Sequence, residues 1–153
     1  MGAAYDYFMA IDDANAKALG RRPGGPVAAG HLGVVETTWV DPWVRVGQLY
    51  FHVLGQDWRY DESLATQVLP EVPIGPDNFE EPTLHRLSAD VRDVLADVVA
   101  DQRDALGQWW SRTEEFLRDR VDASYVERLC TDLLTLCRDA RDTDQQVYVW
   151  GSL

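Results

Sequence analysis

The sequence predicts an α+β fold: a single domain over 1–153, with a small sheet that includes the N- and C-terminal strands and is packed with several helices. Three observations carry this. Aromatic and β-branched segments near the two ends, Tyr5 to Ile11 (YDYFMAI) and Gln146 to Trp150 (QVYVW), read as strands. Capped stretches with three-four apolar spacing lie between them and read as helices. The composition, 46% hydrophobic and 26% charged over 153 residues, is that of one globular core. A chain of this size buries about two-thirds of its unfolded surface, so neither disulfide nor metal is required for folding.

After the first strand, Asp12 caps a short helix from Asp13 to Leu19, ended by Gly20. Arg21 to Gly33 (RRPGGPVAAGHLG) is a Gly/Pro-rich, mobile loop by composition. Val34 to Trp39 is β-branched and reads as a second strand. Asp41 followed by Pro42 is a helix start, because an acceptor side chain precedes a proline at the first helical position. That helix runs to Leu54 and stops at Gly55. Asp61 caps a further short helix to Leu69, and the four prolines of 70–82 make an extended loop. Ser88 opens one long helix from Ala89 to about Leu106, and Ser111 with Glu114 has capping-box spacing. The last helix, about Ala123 to Arg141, places Val126, Leu129, Cys130, Leu133, Leu134, Cys137 and Ala140 on one face.

Charge narrows the function. Twenty-six acidic residues stand against 14 basic ones, a formal net charge of -12. Such a surface repels nucleic acid and anionic membranes, both of which need Lys and Arg, and it complements a basic protein. Arg dominates over the single lysine, Lys17, as in GC-rich bacterial genomes. Cys130 and Cys137 lie seven apart on one helix, about 10.5 Å, too far for a disulfide. Free thiols, no secretory signal and no apolar run of bilayer length give a cytoplasmic reading.

A further signal comes from particular residues. Tyr5-Asp6-Tyr7-Phe8 after Met1-Gly2, Leu49 through Gly55 (LYFHVLG), Pro73-Ile74-Gly75, Leu87-Ser88 before ADVRDVL, and Leu133 through Trp150 resemble the YfbM-like bacterial family of unknown function. The resemblance implies an α+β fold and brings no catalytic signature. The chain departs from the family in having Glu81 just before Pro82, where a glycine is expected.

Familiar chemistries find little footing. No G-x-S-x-G elbow is present, and Ser88 and Ser111 read as helix caps. His31, His52 and His85 are isolated and no C-x-x-C occurs, so no metal is assigned. Asp77, Glu80, Glu81 and His85 form the densest mixed cluster, but Pro82 breaks any shared helical face. Arg21-Arg22-Pro23-Gly24-Gly25 has glycines and arginines suited to a phosphate, yet lacks a P-loop lysine. No catalytic residue and no cofactor are assigned, and the reading leans away from an enzyme.

Two stripes remain. On the Pro42–Leu54 helix, Arg45, Gln48 and His52 gather on the one polar line of an otherwise apolar surface, where they could border a ligand cleft or simply meet solvent. On the long helix, Asp90, Asp93, Asp97, Asp101 and Asp104 fall within an arc of about 80°. This arrangement costs stability, since Asp is a poor helix former and like charges at i, i+4 repel. It is either a partner-binding face or the composition of an Asp-rich chain on an exposed surface. The leading expectation is a non-enzymatic acidic domain, like an immunity or inhibitor protein, that binds a basic protein. The alternatives are a small-ligand-binding domain or enzyme using Arg45, Gln48 and His52, and a structural subunit of a larger assembly.

Overall fold

The computed structural model describes residues 3–59, 67–74 and 82–152. It contains a four-stranded antiparallel sheet and seven α-helices in the order β1 (Ala4–Ala10), α1 (Asp13–Gly20), α2 (Gly25–Ala28), β2 (Val35–Thr38), α3 (Gly47–Val53), β3 (Thr83–Arg86), α4 (Ala89–Ala96), α5 (Ala100–Ser111), α6 (Glu114–Arg118), α7 (Ala123–Asp142) and β4 (Gln146–Ser152). The strand order is β2-β1-β4-β3, so the two terminal strands pair with each other at the centre.

Central strands covered on both faces must be largely apolar at both alternations, and β1 and β4 are, with the buried Asp6 of β1 as the exception. Tyr7, Val147 and Val149 point to one face, where Val91, Leu95, Trp110, Leu133 and Leu134 from α4, α5 and α7 complete the main core. Phe8, Ala10, Tyr148 and Trp150 point to the other, covered by Ala16 of α1 and by Leu84 and Val72. Buried polar tips on these aromatics find partners, as they must in a dry interior. The Tyr7 hydroxyl donates to the Val40 carbonyl at 2.6 Å, and the Trp150 indole donates to the Gly20 carbonyl at 3.1 Å.

Several boundaries differ from the sequence reading. The 21–33 segment is not a featureless mobile loop. It forms α2, where Gly25 at φ 65 lies so close to the Trp150 ring that a Cβ would sit 2.7 Å from it. The helix after Asp41 begins as a π-helical turn, Pro42–Val46, before α3, and the Asp41 carboxylate accepts from the Val44 N–H at 2.7 Å. Ser111 is not a cap for the next helix. It closes α5 and donates to the Gln108 carbonyl at 2.8 Å, while Thr113 precedes α6. Strand β3 was not anticipated, and the short helix expected over 61–69 lies mainly outside the described residues.

The largest correction concerns the helix expected over 89–106. It is two helices, α4 and α5, separated at Asp97, Val98 and Val99. Adjacent β-branched valines weaken a helix, and Val99 adopts an extended backbone, φ -75 and ψ 156. Helix α7 stabilises the break from the side, because Arg138 donates to the freed Val98 carbonyl at 2.9 Å.

Candidate functional site

The break at 97–99 divides the acidic stripe. Asp90 and Asp93 lie on α4, Asp97 is the residue that ends it, and Asp101 and Asp104 lie on α5. The single arc required one continuous helix axis, so the five carboxylates do not form it. Nor are all of them unneutralised. Arg92, largely buried, donates to Asp93 at 2.8 Å and to the Gln145 carbonyl at 2.7 Å. Arg141 of α7 forms an ion pair with Asp97. Asp90, Asp101 and Asp104 are exposed and pair with no basic side chain among the described residues.

The polar stripe Arg45, Gln48 and His52 exists, but a short helix roofs most of it. Arg45 is 4% exposed; its guanidinium lies 4.5 Å from the centre of the Phe116 ring and pairs with Asp119 at the end of α6. The Arg45 carbonyl accepts from the Trp110 indole at 2.9 Å. Gln48 donates to Glu115 at 2.8 Å. His52 is exposed and stacks flat on Trp109, with ring centres 3.5 Å apart, and burial against that ring lowers its pKa. Arg45 thus anchors α6, Gln48 assists, and His52 borders a separate hollow with Val98 and Leu106. The three do not line a common open cleft.

The other singled-out groups are dispersed. The His31 ring nitrogen Nε2 is 2.7 Å from the Met9 carbonyl, and His85 sits on β3 against the edge of Trp43. Burial outweighs the Glu71 charge and lowers the His85 pKa. Arg21 is tied to the Ile74 carbonyl at 2.7 Å, and the Gly25 N–H donates to the Arg22 carbonyl at 2.8 Å. Asp77, Glu80 and Glu81 lie outside the described residues. No group of three His, Cys, Asp or Glu among the described residues is placed to hold a metal. One constellation was invisible in sequence: Asp13 accepts from the Tyr148 hydroxyl at 2.6 Å and from Arg86 at 2.9 Å. Burial raises the Asp13 pKa, but these two hydrogen bonds outweigh it and the net shift is downward. The three groups satisfy one another and lock α1 to β3 and β4.

Two further features come from topology. Asp6 on β1 is 8% exposed and faces Glu36 across the β1–β2 pair; burial first, and Glu36 second, push its pKa up to about 6. Between β2 and α7 runs a groove of about 580 Å³, lined by Met9, Val35, Leu129 and Leu136 and by the exposed Asp132 and Asp139 of α7. The sequence signal for it was the pairing of exposed acids with the α7 apolar face, which becomes legible only once β2 is placed beside that helix.

In comparisons with known proteins, no family model matches the chain, and no curated protein or solved structure matches it either.

Proposed function

We propose that this chain is a non-enzymatic interaction domain that binds a basic protein, in the manner of an immunity or inhibitor protein. The observation that carries the reading is the set of exposed carboxylates Asp90, Asp101 and Asp104, which pair with no basic side chain among the described residues, on two successive helices of a chain with net charge -12. Asp97 and Asp93, already held by Arg141 and Arg92, contribute less to a partner's field. Summed negative potential of this kind speeds association with a cationic surface and falls with ionic strength. No described helix is long and apolar enough to cross a membrane. The same reading places the domain in a bacterial cytoplasm, which the free, buried Cys130 and Cys137 support, and keeps the kinship with the YfbM-like family as part of the proposal.

The test is affinity capture from a bacterial lysate followed by kinetics on the captured protein. The partner should have an isoelectric point above about 9, and association should slow as salt rises. The triple variant Asp90→Asn, Asp101→Asn, Asp104→Asn should associate more slowly and lose much of that salt dependence. An acidic partner, or kinetics indifferent to both salt and the triple variant, overturns the reading.

A further inference from the structure

The sheet has two edges, and the chain treats them differently. At β3, the preceding segment runs alongside as a near-strand: Arg86 N–H donates to the Pro70 carbonyl at 3.0 Å, Val72 N–H to the Leu84 carbonyl at 2.8 Å, and Glu71 bridges to His85. That edge is covered. At β2, by contrast, the only strand paired among the described residues is β1. Trp39 N–H donates to the Ala3 carbonyl at 2.8 Å, which fixes the alternation. Val35 and Thr37 turn their backbone groups toward β1, and Glu36 and Thr38 turn theirs outward. Edge strands are blunted by proline, lysine, bulges, charge or short length, and β2 (VETT) has only its shortness and the single charge of Glu36.

The open edge adjoins the groove of about 580 Å³ between β2 and α7. Met9, Val35, Leu129 and Leu136 give it an apolar lining, and α7 adds two exposed carboxylates, Asp132 and Asp139, and one arginine, Arg128; the exposed Glu36 carboxylate lies on the other face of β2, beside Asp6.

We propose that the β2 edge receives an extended, basic segment of a partner protein as a fifth strand. Its backbone pairs with Glu36 and Thr38, alternate apolar side chains enter the groove on the α7 face, and the lysines or arginines between them meet Glu36 on the other face, with Asp132 and Asp139 adding to the negative field around the groove. Strand addition draws affinity from main-chain hydrogen bonds and selectivity from the alternate side-chain pockets. Charge complementarity selects this occupant over a second copy, because two chains of net charge -12 repel. The inference rests on the basic-partner reading and specifies where such a partner docks.

The experiment uses the whole chain and a synthetic probe of alternating Lys and Val. Hydrogen exchange should slow about tenfold at the Glu36 and Thr38 amides on saturation with the probe. A probe N-methylated at alternate residues, which lacks the ladder donors, should bind at least about tenfold more weakly. Glu36→Pro should do the same with an unchanged melting temperature, since the lost N–H faces outward. The N-methylated probe decides the matter if that variant fails to fold. Binding that ignores N-methylation but disappears in Asp101→Asn with Asp104→Asn overturns strand addition and leaves the acidic-domain reading standing. Failure of all basic probes, extended and helical alike, overturns that reading itself. Concentration-dependent dimers that protect Glu36 and Thr38 without any probe assign the edge to a second copy and overturn the proposal.

Discussion

Replacing Asp6 by Asn tests the energetics of the sheet directly. Asp6 lies on β1 with Glu36 beside it on β2 and Trp150 beside it on β4. Its folded pKa is about 6 against an ordinary value of 3.8, because the carboxylate is desolvated and sits next to another negative charge. The folded state therefore binds more protons than the unfolded state between those two values. Ionised Asp6 opposes folding above about pH 6, and the penalty fades as pH falls through that value and is gone below about pH 4. Two pKa units correspond to about 3 kcal/mol, and the water that still reaches the edge of the carboxyl halves this to about 1.5 kcal/mol.

Asn has nearly the same shape and no charge, so Asp6→Asn should gain about 1.5 kcal/mol at about pH 7.5, or roughly 4 °C in melting temperature. At about pH 4 the gain should vanish. Urea melts of both proteins at the two pH values measure this. Asp101→Asn, an exposed site, controls for the general relief of lowering the net charge. An equal gain at both pH values, or a gain no larger than the Asp101→Asn control, would refute the reasoning.

Two other perturbations follow from buried groups. Asp119→Ala leaves the Arg45 guanidinium buried without its counter-charge and should cost about 3 kcal/mol, whereas Arg45→Met frees a half-exposed carboxylate and should cost less, about 1–2 kcal/mol. Chemical denaturation gives the order, and the reverse order refutes the anchoring role assigned to Arg45. Burial pushes the thiols of Cys130 and Cys137 up to about 12, so a thiol reagent at about pH 8 should label the native protein at least about a hundredfold more slowly than the unfolded chain. Prompt labelling of either cysteine in the native state refutes their burial.

The parts of the fold that sequence revealed are those in which a local pattern and its tertiary use coincide. The apolar face of α7 reads directly from three-four spacing, and Val126, Leu129, Cys130, Leu133, Leu134, Cys137 and Ala140 are all buried, joined by Leu136. The caps Asp12, Asp41 and Ser88 each accept from a backbone N–H three residues on. Strand β3 escaped because its four residues, TLHR, carry a single buried apolar side chain, Leu84, and become a strand only by pairing with β4. The break between α4 and α5 escaped for a related reason. The 89–106 stretch has a continuous helical pattern, and what terminates α4 is partly an arginine forty residues away that takes the Val98 carbonyl.

The same distinction separates the two candidate sites. A helical-wheel argument assigns a side chain a direction but not a neighbour. Arg45 and Gln48 do share a face, yet that face meets Glu115 and Asp119 of α6, so polarity on α3 marks a docking point within the fold. The Asp residues of 90–104 likewise divide into those with an arginine of the same fold at hand and those without. Only the second group has charge left to offer a partner. The groove beside β2 belongs to neither stripe: its apolar lining comes from β1, β2 and α7, with β1 and α7 more than a hundred residues apart, and its acids on α7 look unremarkable along the chain. A surface assembled across the sheet edge in this way has no linear signature. On the proposed reading, charge sets the partner's sign, and the strand edge left unpaired among the described residues sets the shape of the segment that fits.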